Sequence, residues 1–382
     1  MSANAMTGAK DPRDLQPLVS IVVNNFNYAR YLHAAIDSAL AQTYAPVEVV
    51  AVDDGSTDNS RDVISSYGER VSAIFKPNGG QASAFNAGFK ASRGSIVMFL
   101  DADDLLLPMA VEEIVRAWHP GVAKAQFVLA HIDADGRALG GVVPYAPAQM
   151  PEGDIRASIL DNGGYVGVPA SGNAYARTVL DQILPLPESW WLRAADAAVE
   201  IIAPFLGDVV SLRKTLGCYR IHESNLGVLG EDLDSHKLRV RVIRHLQREW
   251  ALSEFARRSG FTIPNHWAAR EPAHLKYRLA SLRVDPAHHP VMDDRRMRLM
   301  FHGIRSTWHN RGYNFRSKIF HTFWFPLVAF LPRDTAVKII RLGLLPGQRR
   351  AKILAKGMLP SPIGSNQLPQ AAEATEASRS VK

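Results

Sequence analysis

The sequence predicts an α/β protein: a mostly parallel, Rossmann-like sheet with flanking helices, followed by a helical C-terminal module. Three observations predict it. From residue 18 onward, short apolar runs rich in β-branched residues alternate with segments of helical period. Polar clusters close three of those runs, at 24–28, 53–58 and 101–104, where loops and helix N-termini of an open α/β sheet converge on a ligand. The chain then becomes richer in Gly and Pro up to about residue 187 and reads as mainly helical from 231.

Residues 18–24 read as the first strand. Tyr31, Leu32, Ala35, Ile36, Ala39 and Leu40 mark one helix face, and 47–52 is a second strand ending in Asp53-Asp54-Gly55-Ser56. A helix follows over 57–67 with Ser56 or Thr57 as its cap. Residues 71–76 read as a strand, 82–91 as a helix, and 95–100 as a fully apolar strand that stops at Asp101. Pro108 suits the first turn of a helix that buries Val111, Ile114, Val115 and Trp118. After a strand over 127–132 the chain turns at Asp135-Gly136. A helix over 194–205 and two short strands, 209–213 and 216–221, follow. Val242, Ile243, Leu246 and Trp250 recur at helical spacing. The organisation expected is a flexible start (1–17), a main domain (18–230, with halves 18–125 and 126–230), a helical basic module (231–356) and a disordered tail (357–382).

With 382 residues, 47% apolar and 21% charged, the chain can bury a full core and is neither disordered nor fibrous. Its net charge of +7 is uneven: between residues 295 and 356 fourteen Lys and Arg meet one acid, so that block holds +13 and the rest of the chain −6. No basic groove need therefore run through the main domain. A single cysteine, Cys218, excludes an internal disulfide and any multi-thiolate metal site and fits a reducing cytoplasm. The first residues show no apolar signal region. The most apolar run, 319–331, is interrupted by His321, Thr322 and Pro326 and is too short to span a bilayer. Neither G-x-G-x-x-G nor G-x-x-x-x-G-K-[ST] follows the first strand, so a dinucleotide oxidoreductase and a P-loop NTPase lose their main support.

Asp101-Ala102-Asp103-Asp104 sets three carboxylates just past a buried strand, oxygen ligands suited to Mg²⁺ or Mn²⁺ shared with substrate phosphates. The competing reading is a solvated turn. Asp133-Ala134-Asp135-Gly136 repeats the letters, and there the Asp-Gly pair between apolar runs reads as a hairpin without chemistry. A haloacid-dehalogenase-type phosphatase also uses D-x-D after a strand, but Leu105 occupies its fifth position and the cluster lies far from the chain start. Asp53 and Asp54 can accept hydrogen bonds from a base or a ribose, or merely stabilise the helix start. A base could stack on Phe26, with Asn24 or Asn27 reading its edge.

The strings VSIVVNNFNYARYL from Val19, VEVVAVDDGSTDNS from Val47, NGGQASAFNAGFKASRG from Asn78 and IVMFLDADD from Ile96 together resemble glycosyltransferase family 2, enzymes of the GT-A fold that use nucleotide-sugar donors. The resemblance covers about the first 110 residues closely and weakens toward Asn225. It implies that Phe26 stacks on a uracil-type base, with Asn24 and Asn27 in the same loop and Asp53 and Asp54 as the acidic pair, Asp54 reading the base. Gln81 and Asn86 would lie beside the nucleotide and sugar, and Asp104 against the donor sugar. Asp101 and Asp103 match the family's D-x-D, with Asp103 the direct metal ligand. Asp196, in WWLRAADAAVEIIAPFLGD, matches the catalytic base, though Ala195 stands where Glu is frequent; Glu200 and Asp208 are alternatives. Tyr219-Arg220-Ile221-His222 resembles a Y-R-x-H element, which would put Arg220 on the diphosphate and make His222 an added metal ligand.

The activity implied is inverting, metal-dependent transfer of a sugar from a UDP-linked donor to a hydroxyl of a glycan or lipid-linked acceptor. Its setting would be bacterial cell-surface polysaccharide synthesis, in the cytoplasm and on the inner face of the plasma membrane. A non-catalytic nucleotide-binding scaffold and a sugar nucleotidyltransferase are the alternatives; the latter needs a Gly-rich, Arg-containing loop that 24–30 does not supply. Residues 313–353 interleave Phe, Trp, Leu and Ile with Arg and Lys. That composition predicts either a membrane-interface element, with Trp324 at headgroup depth, Arg349-Arg350 toward anionic lipid and breaks at Pro326 and Pro332, or an amphipathic pair packed on the main domain. No nucleic-acid-reading element accompanies the charge.

Overall fold

The computed structural model describes residues 16–192, 194–222 and 234–344. Most of the expected flexible start, the expected disordered tail, Asn225 and Arg349-Arg350 lie outside the described residues.

Strands β1 (Val19–Asn25), β2 (Val47–Asp53), β3 (Ser72–Phe75) and β4 (Ile96–Asp101) alternate with helices α1 (Ala29–Leu40), α2 (Ser60–Ser65) and α3 (Gln81–Ala91). β1 pairs in parallel with β2 and β4, and β2 with β3, as helical crossovers require. The register sets Asn24 beside Asp101 and Asn25 beside Asp53, so three polar strand ends fall in a row. Alternation along β1 divides the core: Val19, Ile21 and Val23 join α1 on one face, and Val22 joins α3 on the other. Gly88 lets α3 press onto β1, because a Cβ there would stand 2.2 Å from Val22 Cγ1.

The second half comprises β5 (Leu105–Leu106), α4 (Ala110–Ala117), β6 (Val122–Ile132), β7 (Ala138–Val143), α5 (Arg156–Asn162), β8 (Asn173–Ala176), α6 (Arg177–Ile183), α7 (Asp196–Ile202) and β9 (Asp208–Arg220). Among the described residues the strands form one nine-stranded mixed sheet in the order β3-β2-β1-β4-β8-β6-β9-β5, with β7 on β6. The α/β fold class and GT-A-type sheet predicted above are thus present. The Asp135-Gly136 hairpin joins β6 to β7 as read.

Several elements differ from expectation. The two strands expected over 209–221 are one long strand, β9, whose register against β6 shifts at Phe127–Leu129 instead of breaking. α2 starts three residues late: the Ser56 hydroxyl accepts from the Asn27 amide, and Asp58 Oδ1 accepts from the Ser60 amide at the helix start. β8, hidden in the Gly- and Pro-rich stretch, fills the gap between β4 and β6.

Five helices follow: α8 (Ser235–Ser259), α9 (Pro272–Val284), α10 (Arg296–His309), α11 (Phe315–Phe330) and α12 (Arg333–Leu344). A domain division at 230/231 cuts through a shared core, since Ala251, Leu252 and Phe255 of α8 pack in the same cluster as α3 and α7. Ile243, expected inward, is 43% exposed. The other helices bury Leu279, Leu299, Phe325, Val328 and Ile340 in their own core. Pro326 does not break α11, because flanking Trp324, Phe325 and Val328 anchor the helix on both sides of the lost N–H. Trp324 is 1% exposed and so is core, not a headgroup anchor. Among the described residues no helix is long and apolar enough to cross a membrane.

His274 of α9 is fully buried, and neither ring nitrogen has a hydrogen-bond partner among the described residues. Burial, then the nearby His245, Arg278 and Arg248, hold its pKa well below 6.5. The unfolded chain takes up the proton that the folded state refuses, so stability falls as pH drops below 6.5. Between about pH 7.5 and 5.5 this one group is expected to remove on the order of 1 kcal/mol. Urea unfolding of His274→Leu should show that much less pH dependence; identical slopes would refute the assignment.

Candidate functional site

The site is built where β1, β2 and β4 end. Asp101 closes β4, and ligand atoms of Asp101, Asp103 and Asp104 lie within 4.8 Å of one another. Burial and the charges of Asp103 and Asp196 push Asp101 well above the carboxylate range, with Arg244 opposing; burial, Asp103 and Asp101 do the same to Asp104. Among the described residues none of the three meets a Lys or Arg in a salt bridge; the close side-chain partner is His222, whose Nε2 lies 2.9 Å from Asp103 Oδ2. Crowded, mutually repelling hard oxygens without a cation fit a divalent metal. His222 is held by stacking on Tyr31, at 5.2 Å between centroids, and by an edge contact with Tyr28. The phenol of Tyr28 is pushed upward by burial and by Asp103 and Asp101, so it stays a neutral donor at the cluster's edge.

Two expected ligand contacts are spent inside the protein. Asp104 is 1% exposed and accepts from the Ser171 hydroxyl at 2.6 Å and the Arg220 amide at 2.9 Å, which makes it an anchor tying the loop after β4 to β9 and to the turn before β8 instead of a sugar contact. The Arg220 guanidinium donates to the carbonyls of Asp103, Asp133 and Ala134 and lies over Tyr31, so in this structure it braces the acidic loop and does not face outward to a diphosphate.

On the β1–β2 side, Phe26 is 44% exposed and offers an open ring face. Both amide atoms of Asn24 are buried without a hydrogen-bond partner among the described residues, an orphaned donor and acceptor beside Asp101. Asn27, at φ 59°, instead accepts from the Thr57 amide and shapes the loop. Asp53 is fully buried and accepts from Asn25, the Ser56 amide and Arg61. Asp54 accepts from Lys76 and the amides of Gly79 and Gly80. Both aspartates therefore set the loops at this end of the sheet; each of their oxygens already accepts. Gly80, at φ +83°, has no room for a Cβ, which would meet Leu192 backbone at 2.7 Å.

That contact ties in the third part. The amides of Gln81 and Ala82 donate to the carbonyls of Leu192 and Trp191, and the Gln81 side chain accepts from the Ala195 amide. Asn86 clamps Leu186 through both its amide atoms, a structural task. Gln81 and Asn86 thus deliver residue 196 to the site. Asp196 opens α7, is 9% exposed, and receives Arg244 Nη2 of α8 at 2.5 Å. Its charge is felt at Asp101, which puts the candidate base within electrostatic reach of the carboxylate cluster. Glu200, four residues on, lies against Gly167; its charge is felt at the buried Lys124, whose amine burial pushes down to about 8. Asp208 is eliminated as an alternative base, since it opens β9 opposite Val122 while the site lies at the Arg220 end.

Sequence reasoning missed Arg244, Gln247 and Trp250. Gln247 donates to the Trp190 carbonyl, and Trp250 stacks on Trp190 at 4.4 Å between centroids. These α8 side chains clamp the loop before Asp196; their only sequence signal is helical periodicity.

Residues 20–147 match the Glycosyl transferase family 2 profile. An uncharacterized glycosyltransferase of Nostoc sp. is 41% identical over 215 residues, 54% of this chain and 66% of that protein. Chondroitin synthase of Pasteurella multocida is 48% identical over 99 residues, 25% of this chain and 10% of that one. The matches thus span under two thirds of these relatives' own lengths, 31% for an uncharacterized glycosyltransferase of Rickettsia prowazekii. Among solved structures, S. aureus TarS 1-349 in complex with UDP-GlcNAc aligns with a TM-score of 0.47 at 15% identity, covering 87% of this chain and 92% of that one.

Proposed function

Because the chain carries a family 2 glycosyltransferase domain over residues 20–147, we propose that it moves a sugar from a nucleoside-diphosphate donor, UDP-linked by preference, to an acceptor hydroxyl on a glycan or lipid-linked glycan. The observation that carries this reading is the pair of Asp101–Asp103 carboxylates at the strand ends with Asp196 within their electrostatic reach. The orphaned Asn24 amide reads the base edge while Phe26 stacks on its face. Asp196, positioned by Arg244, takes the proton from the acceptor hydroxyl; the oxygen's electron pair then forms the bond to the anomeric carbon as the bond to the diphosphate breaks. One displacement inverts the anomeric configuration. Asp103, with Asp101 and His222, would hold Mg²⁺ or Mn²⁺, whose charge offsets that of the diphosphate. The setting proposed is cell-surface polysaccharide synthesis at the inner face of the plasma membrane, the enzyme bound peripherally.

The test is a panel of UDP- and GDP-sugars with Mn²⁺ or Mg²⁺, read as release of nucleoside diphosphate. Release that is abolished by chelator and lowered at least a hundredfold in Asp103→Ala is expected. Chelator-insensitive release would remove the metal from the mechanism, and nucleotide binding without release from any donor would favour the scaffold reading.

A further inference from the structure

α11 is apolar on two opposite faces. His321, Trp324, Phe325, Val328 and Ala329 face the core of the C-terminal helices. Phe315, Ile319, Phe323, Leu327 and Phe330 recur at intervals of three or four on the other side, and 38–68% of each is exposed. At 1.5 Å per residue this row runs roughly 22 Å. Trp308 of α10, 45% exposed, extends it: its ring lies 6.3 Å from that of Phe315, and its indole N–H donates to Thr322. A helix apolar all round needs a partner on each face, and only one face has it among the described residues.

The chemistry around the row specifies the missing partner. Between Arg295 and Leu344 ten Lys and Arg accompany one acid, Asp334. Among the described residues none of those ten lies within salt-bridge distance of a carboxylate. Beside the first turn of α11 is a cavity of about 450 Å³ lined by Lys276, Arg316, Asn314, Ser317 and Phe320. It joins cations and a hydroxyl to the start of the apolar row, the combination that receives a phosphate whose acyl chains lie along Phe315 and Ile319. Beyond Leu344 the sequence adds Arg349, Arg350, Lys352 and Lys356 among Ile353 and Leu354.

We propose that the outward face of α11, extended by Trp308, docks on an anionic phospholipid bilayer, the phenyl rings entering the headgroup boundary and the Lys276–Arg316 cavity taking a lipid phosphate. An aromatic-aliphatic row of this length in so basic a surround binds an interface through apolar burial plus attraction to anionic lipid. The proposal names the surface behind the peripheral setting given above and is independent of the transfer chemistry.

The experiment is co-sedimentation of the full chain with vesicles of phosphatidylcholine alone or with roughly 30% phosphatidylglycerol, at low and high salt. Binding should favour the anionic vesicles at least tenfold and weaken with salt. Phe323→Asp with Phe330→Asp, both exposed positions, should reduce it at least tenfold, and Lys276→Glu with Arg316→Glu should abolish the anionic preference. Donor hydrolysis by the phenylalanine variant should equal that of the parent, so failure of docking and failure of catalysis are read separately. Equal binding to neutral vesicles, unchanged binding in the phenylalanine variant, or conversion of a dimer to a monomer by that variant in light scattering would each overturn it, the last by assigning the face to a second copy.

Discussion

Asp196→Asn is expected to lower turnover at saturating donor by about 10²- to 10⁴-fold, the usual contribution of a positioned general base, while nucleotide affinity stays within about twofold of the parent. The amide keeps the shape of the carboxylate and still accepts from Arg244, but it has no basic electron pair for the acceptor proton. Asp196 is held through Gln81 and the 191–195 segment, whereas Asn24 and Phe26 belong to the end of β1 and the loop after it, so base binding need not change. Single-turnover transfer and nucleotide titration on the same preparation separate the two quantities. Undiminished turnover would pass the base role to Glu200, one turn along α7.

Arg244→Ala is expected to cost about 2 kcal/mol of folding stability and to lower turnover together with it. Removing one member of a buried ion pair costs about 3–5 kcal/mol because the other charge stays desolvated. Here the Asp196 side chain is 12% exposed but that of Arg244 is 35% exposed, so water replaces part of the lost partner. The diagnostic is the double variant: Arg244→Ala with Asp196→Asn leaves no unpaired charge and should recover more than half of the lost stability in urea unfolding. Additive losses would mean that the two groups act independently. Arg244→Lys, which keeps the charge without the planar fork, should fall between the two in turnover.

Much of the donor side was legible from the chain alone. The β-branched runs broken by Asn24–Tyr28, Asp53–Asp58 and Asp101–Asp104 specify parallel strands with polar carboxyl ends, and parallel register then puts those ends side by side. The same reasoning separated the two D-A-D strings: Asp101 ends a central strand, whereas Asp133 and Asp135 close a hairpin and accept from the Arg137 and Asp135 amides and from Arg30. What a motif does not specify is which partner a polar group finds. Asp54, Asp104, Asn86 and Arg220 all sit near the site, yet each is satisfied by groups 22 to 117 positions away in the chain. A buried polar group takes whatever partner the packing brings, because leaving it unpaired costs about 1–3 kcal/mol.

The acceptor side and the helical module follow the same division. Residues 136–187 have too little periodicity to announce β8, a strand of four residues that exists because β4 and β6 both have open edges. Arg244 looked like one more surface cation on an amphipathic helix until α8 packed on α7 and placed it on Asp196. For the basic block, composition showed apolar and cationic residues together but left Trp324 either at headgroup depth or in a packed pair; packing buried it and exposed Phe315, Phe323 and Phe330 instead. Sequence by itself determined the fold class, the strand-end carboxylates and the location of the charge, since those depend on periodicity and local spacing. Only the tertiary structure decided which carboxylates stay open, what holds Asp196, and which face of α11 is left to a partner, since each of those is settled by contacts between segments far apart in the chain.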